Sequence, residues 1–188
     1  KHTLPQRPKW VACACCPPNV ARLLPSIAKY AWTVNDDFVY SHLYIAGELS
    51  LDDLKVSVET DYPYDGRITY RFADSPDNAC AADPAQNNKR GFAVRIPGWS
   101  KNTKVTLNSE TVFTLASDGK VVSYDTFAGS KGVIYKNGYL YFERELADGD
   151  SIVMDTDMTP YRIYANYRIG ADNGMVAIGR GPLIYCAE

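Results

Sequence analysis

Between Val20 and Ala31 the apolar positions keep to one side of a helix. Val20, Leu23, Leu24, Ile27, Ala28 and Ala31 recur at i, i+3, i+4, i+7, i+8 and i+11, with Arg22 and Lys29 off the stripe. Pro18 suits the first turn of such a helix, where its missing N–H is no loss. Pro25 removes one backbone hydrogen bond, so a kink is expected in the second turn. A helix with one apolar stripe needs a partner surface to cover it. Residues 1–16 show no period, and Pro5 and Pro8 point to an extended lead-in.

From about Trp32 the period changes to two. Phe38–Ile45 and Val56–Asp61 read as strands, and Ile68, Tyr70 and Phe72 alternate with polar neighbours after an Asp65-Gly66 turn. Phe92–Ile96 and Lys104–Leu107 follow. Val133–Phe142 reads as a hairpin, because Asn137-Gly138 tolerates the positive φ angles that a two-residue turn demands. Ser151–Met154, Arg162–Ala165, Met175–Ile178 and Pro182–Cys186 continue the series. Strands spaced about ten residues apart predict a mostly β protein, an antiparallel β-sandwich preceded by one short helix. Asp74–Arg90, rich in Ala, Asp, Asn and Pro, reads as a long surface loop.

Composition narrows the function classes. The 188 residues are 46% hydrophobic and 22% charged, the balance of a globular protein that buries a core of its own. No apolar run is long enough to span a bilayer, so no membrane role is expected. A formal charge of −2 without a Lys/Arg cluster argues against nucleic acid as a partner. Fourteen tyrosines and three tryptophans suit either stacking on sugar rings or half-buried positions on sheet faces, and the second reading is favoured. The first residue is Lys1 and the last run is strand-like, so the expectation is a segment of a longer soluble protein without its natural N-terminus, its compartment open between cytoplasm and periplasm.

Three of the five cysteines, Cys13, Cys15 and Cys16, crowd into four positions, followed by Pro17 and Pro18. A disulfide between the neighbours Cys15 and Cys16 would close a cramped ring, and pairing with Cys80 or Cys186 leaves one thiol over, so reduced thiols are expected. Cys13 and Cys16 have a zinc-ligand spacing, but no second such pair follows, and His2 and His42 do not complete one. Spacing alone leaves an inert cluster and a metal or catalytic cluster level.

Cys13-Ala-Cys-Cys-Pro-Pro-Asn-Val-Ala-Arg22 resembles the Cys-Cys-Pro-Pro-Asn motif of the β-L-arabinofuranosidases of glycoside hydrolase family 127, once a domain of unknown function. Leu43-Tyr-Ile-Ala, Thr60–Gly66, Arg95-Ile-Pro-Gly-Trp99, Val105–Asn108, Asp148-Gly-Asp150, Met158-Thr-Pro and Val176–Tyr185 are similar to that family's later segments in the same order. The resemblance implies an (α/α)6 barrel carrying the active site and followed by β-sandwich domains. Residues 1–32 would then end the barrel, the helix being its last, residues 33–158 would form a β-sandwich, and residues 159–188 would begin a second. By position in the motif, Cys15 would be the nucleophile and a zinc ligand, and Cys16 a second zinc ligand. A further Glu and Cys ligand and the acid/base Glu would lie upstream, in the missing N-terminal barrel domain, leaving this segment inactive alone. The implied partners are arabinofuranosides or related plant glycans. Cys13 is expected to pack as a small side chain, Asn19 and Arg22 to cap or pair, and Asp36, Asp37, Asp61 and Asp65 to form turns. Two other readings stay open: a stand-alone sugar-binding or structural β-sandwich, and a small zinc module.

Overall fold

The computed structural model describes residues 13–52, 54–74, 90–115, 121–124 and 132–185. Cys80, Cys186, His2 and nearly all of the expected loop at 74–90 lie outside them. The helical pattern is realised in three pieces: α1 (Cys16–Leu23), a 3-10 turn (Leu24–Ser26) and α2 (Ala28–Ala31). The break falls at Pro25, whose missing N–H interrupts the helical ladder as expected, and the Ser26 hydroxyl donates back to the Leu23 carbonyl at 2.9 Å. No helix among the described residues is long and apolar enough to cross a bilayer.

Two sheets face each other. The first has the order β1 (Trp32–Val34), β2 (Phe38–Ser41), β6 (Gly91–Arg95), β11 (Tyr139–Phe142), β10 (Val133–Lys136). The second runs β3 (Gly47–Ser50), β4 (Lys55–Thr60), β5 (Arg67–Ala73), β12 (Ser151–Asp155), β7 (Lys104–Leu107), β8 (Glu110–Leu115), β9 (Val121–Tyr124). All pairings are antiparallel except β2 with β6, which is parallel. The expected strand Phe38–Ile45 ends at Ser41, because the next backbone N–H, that of His42, turns to the Ala31 carbonyl at 2.8 Å. That bond ties α2 to the sandwich, and Ala31 is the one buried residue of the two helices.

Period-two alternation sends one face of each sheet into a shared core. Val39, Phe92, Val94, Leu140 and Phe142 meet Val58, Ile68, Tyr70, Phe72, Ile152 and Met154, all buried. Phe92 is the hub, with ring centroids 5.2 Å from Tyr70 and 5.0 Å from Phe72. Ser41 and Tyr70, both fully buried, link the two sheets across this interior, their hydroxyls sharing a 2.9 Å hydrogen bond. The β10–β11 hairpin turns on Asn137 (φ 53°) and Gly138 (φ 78°), as the Asn-Gly pair requires. Gly66 has another reason to be glycine: a Cβ there would sit 2.4 Å from the Thr156 carbonyl oxygen.

A third sheet, β13 (Tyr161–Tyr164), β14 (Val176–Arg180) and β15 (Leu183–Tyr185), stands apart in hydrogen bonding. Arg180 joins it to the sandwich by donating to the Tyr64 carbonyl at 2.8 Å.

Candidate functional site

Cys15 stands immediately before α1 with helical backbone angles, and Cys16 begins the helix, so the two thiols leave one bend of the chain. Their sulfurs are 3.7 Å apart, and both side chains are exposed. Two sulfurs each about 2.3 Å from one tetrahedral zinc ion would be about 3.8 Å apart, so the pair fits two vertices of such a site. Pro17 and Pro18 occupy the first turn, where neither needs an N–H, and the Cys15 carbonyl accepts from the Asn19 N–H at 3.2 Å. Arg22 donates to Asn19 Oδ1 at 2.6 Å, closing a local brace on the same turn. Asn19 and Arg22 therefore brace the turn that carries the two thiols.

Cys13, Cys15 and Cys16 are free thiols. Cys13 is exposed, against the expectation of a packed side chain. Among the described residues no group of three or more His, Cys, Asp or Glu side chains is placed to hold a metal, so a complete centre needs ligands from elsewhere. This set does not assemble a self-contained zinc module. Beside the thiols, most of the apolar stripe of the helices is uncovered: Val20, Leu23, Leu24 and Ile27 are exposed, as is the neighbouring Tyr30, whereas Ala31 is buried. The turn carboxylates behave as turn formers where a partner is seen, Asp65 Oδ1 accepting from the Gly66 N–H at 2.6 Å.

A second polar constellation lies on the outer face of the first sheet and was not foreseen. The register pairs Arg95 on β6 with Tyr139 on β11, and His42, the residue after β2, follows the Ser41–Val94 pair, so that His42, Arg95 and Tyr139 form a row. His42 Nδ1 meets the Tyr139 hydroxyl at 2.7 Å, and its Nε2 meets the Thr33 hydroxyl at 2.7 Å. Burial, and then the Arg95 guanidinium, hold the imidazole below its ordinary titration range, so it is neutral at pH 7. Beside the row opens a cavity of about 280 Å³ walled by His42, Ile45, Tyr62, Arg95, Pro97 and Trp99. The Tyr62 and Trp99 rings stack at 6.4 Å with 21° between their planes. The sequence offered His42 only inside the expected strand Phe38–Ile45 and Arg95 only at the head of Arg95-Ile-Pro-Gly-Trp99; placing them side by side needs the parallel pairing.

Comparison with known proteins adds the following. The family model described as beta-L-arabinofuranosidase, GH127 middle domain, matches residues 38–158, and that of the glycoside hydrolase family 127 C-terminal domain matches residues 160–188. The non-reducing end beta-L-arabinofuranosidase of Bifidobacterium longum subsp. longum is 34% identical over all of this chain, which spans 25% of that relative. A solved GH127 beta-L-arabinofuranosidase from Geobacillus stearothermophilus T6 superposes with a TM-score of 0.71 at 33% identity, covering 98% of this chain and 26% of that one. The GH127 beta-arabinofuranosidase BT3674 gives 0.68 at 30% identity, over 95% of this chain and 27% of its own. The chain thus spans about a quarter of the length of the relatives it matches.

Proposed function

The chain belongs to glycoside hydrolase family 127, and on that premise we propose that it is the C-terminal portion of a retaining β-L-arabinofuranosidase with Cys15 as nucleophile. The observation that carries the reading is the exposed pair of sulfurs 3.7 Å apart at one bend. Residues 1–32 are the end of a barrel domain, 33–158 a β-sandwich and 159–188 the start of a further β domain. The uncovered stripe on α1 and α2 supports this division, since it is the surface an upstream barrel would bury.

Cys15 and Cys16 would hold a zinc ion together with a Glu and a Cys from the upstream region. Bound there, the metal would supply deprotonation of its thiol ligands. The Cys15 sulfur then attacks the anomeric carbon of an arabinofuranoside, forming a C–S bond as the C–O bond to the leaving group breaks. An upstream carboxylic acid protonates the departing oxygen. Water, deprotonated by the same carboxylate, attacks the anomeric carbon from the opposite side. The C–S bond breaks, the thiolate returns and the sugar leaves with its configuration retained. The brace of Arg22 on Asn19 and the stiff Pro17-Pro18 step hold the bend on which the nucleophile rides.

Two of the proposed ligands and the acid/base lie outside the chain, so the segment alone is inactive. The test is the intact polypeptide with Cys15→Ser and Cys16→Ser, assayed on an arabinofuranoside and for zinc by atomic absorption. Loss of turnover in the first and of both turnover and zinc in the second supports the assignment; full activity in Cys15→Ser overturns it.

A further inference from the structure

We propose that the cavity beside Arg95 is a second, non-catalytic site that binds a single acidic sugar ring, a uronate. The argument starts from the row His42–Arg95–Tyr139. The two outer members bond to each other at 2.7 Å, across the strand that carries Arg95 between them. Both His42 ring nitrogens are engaged, by Tyr139 and by Thr33; burial and then the Arg95 guanidinium lower the pKa of the ring, so it is not a second cation at pH 7. Arg95 is exposed, and among the described residues its guanidinium has no ion pair with a carboxylate. A fork of five N–H donors at the mouth of a cavity, with its neighbours already satisfied, selects a planar anion of one charge.

The remaining walls select what that anion is attached to. Tyr62 and Trp99 form a stacked pair on one side, and Ile45 and Pro97 are apolar. Such a surface receives the C–H face of a small ring. A volume of about 280 Å³ is at the lower end for ligand cavities, which limits the occupant to about one ring. A carboxylate and an apolar ring face together on one compact molecule describe a sugar acid; a bare phosphate would leave the aromatic wall unused. The site lies at the end of the sandwich sheets, on residues the cysteine chemistry does not touch. It rests on the glycosidase reading only for the expectation that the intact protein meets a glycan.

The experiment uses the intact polypeptide and reads binding directly, so failure of the cysteine mechanism leaves it unaffected. Galacturonate and its neutral counterpart galactose are titrated by ligand-observed NMR and tryptophan fluorescence. Galacturonate is expected to bind saturably and about three- to tenfold more tightly than galactose, with the preference falling as salt is added. Arg95→Ala is expected to erase the preference, Arg95→Lys to retain part of it, and Trp99→Phe to weaken both sugars alike. The proposal is overturned if the intact protein binds neither sugar, if it binds both equally, or if Arg95→Ala keeps the preference. The Lys variant keeps the charge and the aliphatic stem, which separates loss of the site from loss of the fold.

Discussion

The hydroxyls of Ser41 and Tyr70 lie in the middle of the sandwich, both side chains fully buried, and share one 2.9 Å hydrogen bond that joins the two sheets. Removing one partner leaves the other without a bond and without water. Tyr70→Phe therefore forfeits the bond and strands the Ser41 hydroxyl, at a cost of about 1.5 kcal/mol. Ser41→Ala strands the Tyr70 hydroxyl for a similar cost, about 1.5 kcal/mol. With both changed nothing polar is left to strand, so the double variant should lose about 1.5 kcal/mol rather than about 3, a coupling of about 1.5 kcal/mol. Burial also raises the Tyr70 pKa well above its ordinary value, the Ser41 bond opposing it. The proton is thus held more tightly in the folded protein than in the unfolded chain. The stabilisation is complete below the unfolded value near 10 and fades as pH rises above it. Urea unfolding followed by tryptophan fluorescence is suited to the cycle, because Trp32 packs edge-on against Tyr70 at 6.5 Å. Losses that simply add in the double variant would refute the idea that the two hydroxyls satisfy each other.

Two further outcomes follow from local geometry. Gly91→Ala puts a Cβ 2.6 Å from the Phe38 ring and 2.7 Å from the Phe142 carbonyl oxygen, and should cost about 2 kcal/mol, read as a lower Tm; an unchanged Tm would mean that β2 and β11 yield freely there. For Asp150, burial raises the pKa, but bonds from Asn108, the Ala147 N–H and Arg144 outweigh it and hold the carboxyl below its ordinary 3.8. Its contribution is present above that value and is lost as pH falls through the lower folded pKa, so Asp150→Asn should cost about 2 kcal/mol at pH 6 and progressively less towards pH 3. A gap that stays constant across that range in urea titrations would contradict the assignment.

What the sequence revealed of the fold depended on how cleanly each strand kept its period. In β5 the alternation of Ile68, Tyr70 and Phe72 is unbroken, and all three are buried. In β8 the neighbours Val112 and Phe113 are both buried, because the register against β7 slips between Val105 and Thr106 and Val112 is the extra residue. A period-two reading passes over such a strand. β3 offers only Leu49 to the core from a sheet edge, too little pattern to recognise, and β9 was likewise unforeseen. In β2 the aromatic residues Phe38 and Tyr40 take the outer face while Ser41 goes in, a choice decided by the partner Tyr70 in the other sheet. The cysteine motif was readable as a resemblance, but spacing could not tell an inert cluster from a metal pair. The distance between the sulfurs is a property of the bend. The row of His42, Arg95 and Tyr139 was illegible because its neighbours are 53 and 44 residues apart and meet only through the strand register.

The central claim is that the Cys15 sulfur becomes bonded to the sugar during turnover. Intact protein, zinc-loaded, is mixed with an arabinofuranoside bearing an activated leaving group, quenched in acid during the steady state, digested and analysed by mass spectrometry. The account predicts one pentosyl unit on the peptide carrying Cys15 and none on Cys16 or Cys13, with the adduct absent in Cys15→Ser. Turnover with no sugar on that peptide, or with the sugar on a carboxylate instead, would contradict it.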